Sequence, residues 1–130
     1  QGHEALAAAS LLQGADGLVP GLGNVSPSLL VALRRAAADG DVAACARLQS
    51  EIMDLGMLHT HGHWLPALKT ACAALGIGNG LPAVPFSPVT EAERQAIAAI
   101  LERHGLLGSR NRSRQPVRTC PKIAFPAPTP

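Results

Sequence analysis

The sequence predicts an α/β chain dominated by helix, with one short strand set among five amphipathic helices. Three observations predict it. Apolar residues recur at three- and four-residue steps through most of the chain. Gly14, Gly40, Gly76 and Gly105 stand just past four of these runs, where glycine commonly closes a helix. Leu18-Val19, apolar and partly β-branched, lies between the turn-like Ala15-Asp16-Gly17 and the breaker run Pro20-Gly21-Leu22-Gly23-Asn24. Strand, glycine-rich loop and helix in that order form the unit with which a (β/α) barrel builds ligand contacts at the carboxyl end of a strand. An ordinary αβα connection has the same pattern.

The first helix is expected over Ala5–Gln13, rich in Ala and Leu, with Glu4 in its first turn, where a carboxylate suits the helix dipole. After the strand, Ser26 can cap and Pro27 can take the first helical position of a second helix reaching Asp39, with Leu29, Leu30 and Leu33 as its apolar stripe. Asp41 can cap the third helix, whose buried face reads Val42, Cys45, Leu48, Ile52, Leu55 and His59. A turn over His59–His63 leads to the fourth helix, Trp64–Leu75, with Trp64, Leu65, Leu68, Ala71, Cys72 and Leu75 inward. Ile77–Val89 reads as a Gly/Pro loop. Thr90 and Glu93 then form a capping box for a fifth helix that buries Ile97, Ile100 and Leu101. A single strand leaves backbone donors and acceptors without partners, so it must pair with something larger or pack irregularly.

Apolar residues make up 47% of the chain, but many are Ala, which favours helix and buries little area; the aromatics are Trp64, Phe86 and Phe125. No stretch is apolar for the length a membrane span needs. All nine acidic residues precede Gly108, whereas Arg110, Arg112, Arg114, Arg118 and Lys122 follow it, interspersed with Pro116, Pro121, Pro126, Pro128 and Pro130. The chain therefore divides into a mildly acidic helical body, 1–107, and a basic, proline-rich tail, 108–130, expected to be disordered. Such a tail can neutralise phosphates, but with Phe125 alone for stacking, a nonspecific tail is preferred over a nucleic-acid partner. Its abrupt composition also suits a shifted frame or a cloned extension. The start at Gln1 in place of Met suggests a fragment or a processed chain. Cys45, Cys72 and Cys120 are odd in number and lack metal spacing, which implies free thiols in a reducing, cytoplasmic setting. His59, His61 and His63 alternate as zinc ligands on a strand would, but they bridge two helices without an evident fourth ligand. Packing and hydrogen bonding between helices is preferred, and no metal or other cofactor is expected.

Gly2-His3-Glu4, GADGLVPGLGNVSPSLLVALRRAAADGD, WLPALKTACAALGI and PFSPVTEAERQAIAAILERHGLL, in this order and spacing, resemble one family. It is the pyruvate-dependent class I aldolases and lyases that include dihydrodipicolinate synthase and N-acetylneuraminate lyase. The likeness is to their carboxyl-terminal part and covers about residues 2–107, without the tail. It implies the last strand of a (β/α)8 TIM barrel followed by appended helices. It also implies Schiff-base chemistry, in which a lysine amine condenses with the ketone of pyruvate and a tyrosine relays protons. Neither residue is expected here: there is no Tyr, Lys69 matches a lysine of the appended helices, and Lys122 lies in the tail.

What the resemblance leaves is part of the pocket wall. Val19 matches the strand position that packs against bound pyruvate, with plain core packing as the alternative. Gly2 matches the loop glycine that lets backbone approach the substrate. Glu4 falls where sialate lyases carry an acid that binds the sugar, although a helix-start carboxylate in water explains it too. Ala5 replaces the next acid of those lyases, which counts against sialic acid. The expected function is thus a piece of a pyruvate (2-oxo acid) aldolase or lyase, inactive alone and able to form homo-oligomers as relatives do. A non-enzymatic helical scaffold derived from that family is the competing reading.

Overall fold

Residues 1–107 are described in the computed structural model, and the basic tail, with Cys120 and Lys122, lies outside the described residues. Five α-helices follow one another: α1 (Ala7–Leu12), α2 (Pro27–Ala38), α3 (Val42–Gly56), α4 (Trp64–Ala74) and α5 (Glu91–Arg103). Short 3-10 turns over Glu4–Leu6, Gly21–Asn24 and Met57–Thr60 lead into α1, α2 and α4 respectively.

The expected strand is the main correction. Leu18-Val19 is extended, but no β-strand forms among the described residues. The reason is a lack of neighbours. The Val19 N–H donates to the Gln1 carbonyl at 2.9 Å, and the Gln1 α-amino group donates to the Gly17 carbonyl at 3.0 Å. Two bonds to one residue do not make a ladder. The first helix also divides: Glu4–Leu6 is a 3-10 turn, and α-helical geometry starts only at Ala7.

The other helices form for the reasons expected, with two revisions. Pro27 opens α2, but Ser26 is buried and its side chain makes no capping bond. Asp41 does cap α3, its Oδ1 accepting from the Ala44 N–H at 2.8 Å. At α5 the capping box is complete: the Thr90 N–H donates to Glu93 Oε2 at 2.6 Å, and the Glu93 N–H donates to Thr90 Oγ1 at 3.3 Å. These caps supply acceptors for N–H groups that lack intrahelical partners.

The core gathers Leu33 of α2, Ile52 and Leu55 of α3, Leu58 of the following turn, and Ile97 and Leu101 of α5. Helix α2 packs on α3, and α4 packs on α5. Two large apolar residues expected in this core are exposed instead: Val42 is 62% exposed and Trp64 is 52% exposed. Each is the first residue of its helix. Helical side chains lean toward the amino terminus, so a first-turn residue projects past the end of its own cylinder. Pro66 and Ala67 are buried in α4 instead, beside the expected Leu68 and Ala71. Asp54 of α3 ties down the end of α5, accepting from Arg103 Nη2 at 2.8 Å and hydrogen bonding His104 Nε2 at 3.0 Å.

Candidate functional site

Four separate segments meet at one cleft of about 670 Å³, lined by Gly2, His3, Glu4, Val19, Gly21, His59 and Trp64. Gly2, His3 and Glu4 arrive just before α1, and Val19 and Gly21 flank Pro20 between α1 and α2. His59 comes from the turn after α3, and Trp64 opens α4. All three sequence-derived wall residues, Gly2, Glu4 and Val19, are therefore brought together.

Val19 takes the position by the alternation of an extended chain. Val19 is 86% exposed, whereas Leu18 packs against the buried core. The link from the Val19 N–H to Gln1 holds this segment beside Gly2. A Cβ at Gly2 would meet the Val19 carbonyl oxygen at 3.5 Å, an ordinary contact, so the chain's own packing does not require glycine there. Gly21 is different. A Cβ there would come within 3.1 Å of Leu68 Cδ2 and 3.6 Å of Glu4 Oε1, so its missing side chain lets the loop close on both.

Glu4 is neither a free helix-start carboxylate nor wholly committed. Its Oε1 accepts from the Leu22 N–H at 3.2 Å, which fastens the segment before α1 to the turn before α2. Gln49 of α3 holds the same segment from behind. Its Nε2 donates to the Glu4 carbonyl at 2.9 Å, and its Oε1 accepts from the Ala8 N–H at 2.8 Å. Gln49 thus positions Glu4, a role no sequence pattern marked, because its partners lie more than forty residues away.

The histidines separate. His59 is half-buried against the cleft, and its Nδ1 has no hydrogen-bond partner among the described residues, so the expected interhelical bond through that atom does not form. His63 Nδ1 accepts from the Leu65 N–H at 3.4 Å at the start of α4. The His59 and Trp64 rings meet edge to face at 6.4 Å, and His63 lies 6.0 Å from Trp64 and 4.6 Å from Phe86 between centroids. Among the described residues no cluster of His, Cys, Asp and Glu is arranged to hold a metal ion. His3, Gly21, His59 and Trp64 were not among the expected wall residues. The cue for Trp64 and Val42 alike was position: a large apolar residue immediately after a helix cap.

Lys69 does not line the cleft; its Nζ donates to the Leu81 carbonyl at 3.0 Å on the exposed side of α4. Burial pushes the Cys72 thiol up from its ordinary pKa, which keeps it protonated and a poor nucleophile. Among the described residues, no helix is long and apolar enough to cross a membrane.

The model of the dihydrodipicolinate synthetase family matches residues 1–104. The chain is 31% identical over 101 residues to 4-hydroxy-tetrahydrodipicolinate synthase of Thermomicrobium roseum, covering 77% of this chain and 33% of that protein. It is 34% identical over 103 residues to the same enzyme of Sorangium cellulosum, covering 78% of this chain and 34% of that protein. Among solved structures, dihydrodipicolinate synthase from Bacteroides thetaiotaomicron superposes with a TM-score of 0.74 at 36% identity, over 78% of this chain and 36% of its own. A prophage protein of the dihydrodipicolinic acid synthase family from E. coli K12, solved in complex with pyruvate, superposes with a TM-score of 0.72 at 25% identity, over 81% of this chain and 36% of its own. The chain spans about a third of the length of these curated relatives.

Proposed function

The chain belongs to the dihydrodipicolinate synthetase family, and from that premise we propose that it supplies one wall of a pyruvate-binding aldolase or lyase site. The observation that carries this reading is the meeting of Gly2, Glu4 and Val19 on one cleft. In this reading Val19 and Gly2 pack against the pyruvate methyl and carboxylate, and Glu4 faces the carbonyl compound that joins or leaves pyruvate. The lysine amine adds to the pyruvate ketone and loses water to give an iminium. Loss of a proton from the methyl group then gives the enamine that forms the new carbon–carbon bond. That lysine is not Lys69, which is turned away from the cleft toward Leu81. The sequence contains no Tyr to relay protons. Both groups would come from the remaining barrel strands, so this chain alone is inactive. Cys45 and Cys72 as free thiols accord with a cytoplasmic setting.

The non-enzymatic alternative draws on one observation: the buried core from Ala7 to Leu101 closes without any strand among the described residues. Borohydride reduction in the presence of pyruvate separates the two. The chain alone should gain no mass. Co-expressed with the strand-bearing remainder of a family barrel, it should restore a reducible pyruvate adduct on the remainder's lysine. An adduct mapped to Lys69 would overturn the first expectation. Failure of a well-folded complex to form any adduct would favour the scaffold.

A further inference from the structure

Helix α5 contributes no residue to the cleft, yet it grips the turn that supplies His59 and Trp64. Between those two, Gly62 has φ +82°, in the left-handed region that favours glycine. Glu93 covers the side where Gly62 has no side chain. A Cβ there would meet Glu93 Oε1 at 3.0 Å, Cδ at 3.4 Å and Oε2 at 3.5 Å, so the whole carboxylate lies against the turn. That carboxylate is held in place. Its Oε2 accepts from the Thr90 N–H at 2.6 Å and from the Thr90 hydroxyl at 2.9 Å, and α5 is anchored by the fully buried Ile97 and Leu101. One residue beyond Gly62, the His63 ring lies 4.6 Å from Phe86, on the segment leading into α5, and 6.0 Å from Trp64. Phe86 and Glu93 thus hold the turn at two adjacent points, one by a ring at His63 and one by a carboxylate at Gly62.

We propose that this grip sets the geometry of the cleft from outside it: Glu93 and Phe86 are positioning residues that place His59 and Trp64 without lining the cleft themselves. The two rings have little else to fix them. Trp64 is the first residue of α4 and 52% exposed, so its own helix packs against little of the indole. His59 has no hydrogen bond through Nδ1 among the described residues. Their edge-to-face contact at 6.4 Å therefore depends on the path of the backbone between them, and that path is held at Gly62 and His63. A change at α5 reaches the cleft through this chain of packed groups, as one rigid element displacing the next. The inference concerns the wall alone and stands whatever the cleft binds, so it is independent of the pyruvate reading.

The test uses the fact that the sequence holds one Trp. In a nitrogen-labelled sample of the whole chain, the single indole N–H resonance reports on Trp64 alone. Glu93→Ala removes the carboxylate from Gly62 and should shift this resonance by more than its line width. Glu93→Gln keeps an acceptor for Thr90 and a group over Gly62, so its resonance should stay near the native position. Asp41→Ala is the control for loss of a helix cap as such, because it frees the Ala44 N–H at the far end of α3, and it should leave the resonance in place. Gly62→Ala should move the resonance further in the native background than in Glu93→Ala, where the carboxylate it would press against is gone. Phe86→Leu leaves the α5 cap intact and withdraws the ring from His63, so it tests the second point of the grip even if Glu93→Ala lowers the helical circular dichroism. It too should shift the resonance. An unmoved resonance in a helical Glu93→Ala chain or in Phe86→Leu, an equal shift in Asp41→Ala, or strictly additive shifts for Gly62→Ala and Glu93→Ala would overturn the proposal.

Discussion

Leu18 and Val19 are neighbours with opposite environments, one packed against the core and the other facing the cleft. Extended-chain alternation produces this without any hydrogen-bonded ladder, because it follows from backbone geometry alone. The pair therefore makes an internally controlled experiment. Val19→Asp should leave the melting of the chain nearly unchanged, within about 0.5 kcal/mol, since the side chain has little to lose. Leu18→Asp should destabilise by about 2 kcal/mol or more, because it drives a carboxylate against apolar side chains. In a complemented barrel, Val19→Asp should lower kcat/KM at least about tenfold, or roughly 1.4 kcal/mol of transition-state binding, by setting charge against anionic pyruvate. A folded and fully active Val19→Asp enzyme would remove this residue from the pocket.

At the scale of elements, the caps were the parts of the chain that local sequence specified best. Thr90 and Glu93 form their reciprocal bonds as their spacing requires, and Thr90→Ala should cost about 1 kcal/mol in a chemical denaturation series. The bonds from the Thr90 backbone N–H and then its hydroxyl hold the Glu93 carboxyl below its ordinary pKa. The native state thus favours the ionised form. The associated stability is present above the ordinary carboxylate range and is lost as pH falls through the lowered native value. Acidification below about pH 4.5 should erode the stability of the unmodified protein more than that of Glu93→Gln. Equal acid sensitivity in both would show that the box does not bear on the titration. The capping of α2 was less legible, because Ser26 is drawn into the interior and packing overrides its hydrogen-bonding preference.

Across the whole molecule, stability rests on residues that meet from distant parts of the chain. Ile52 of α3 is fully buried with Ile97 and Leu101 of α5, and Ile52→Ala should cost about 2–5 kcal/mol through lost burial and a residual cavity. That loss should appear as one cooperative shift of the melt, since α3 and α5 share this core. The core as described is built from residues between Ala7 and Leu107. A chain ended at Leu107 should therefore keep its helical circular dichroism and its melting temperature. A marked loss of helix on shortening would show that residues 108–130 contribute to the fold.

The sequence by itself determined the helical segments, their caps and stops, and the family to which the chain belongs. These depend on short-range periodicity and on ordered motifs that survive in a linear string. It also pointed to Gly2, Glu4 and Val19 through the resemblance, although not to the contacts that hold them. Only the tertiary structure decided that Leu18-Val19 stays a lone extended segment, since a strand exists through the partners it finds. Only it turned Trp64 from a core position into part of the cleft wall, because a helix's first residue projects beyond the helix and its surroundings are set by other elements. The anchoring of Glu4 by Leu22 and Gln49 was likewise invisible in the string. Hydrogen bonds between residues so far apart leave no local signature, and they form only once the chain has been folded around its core.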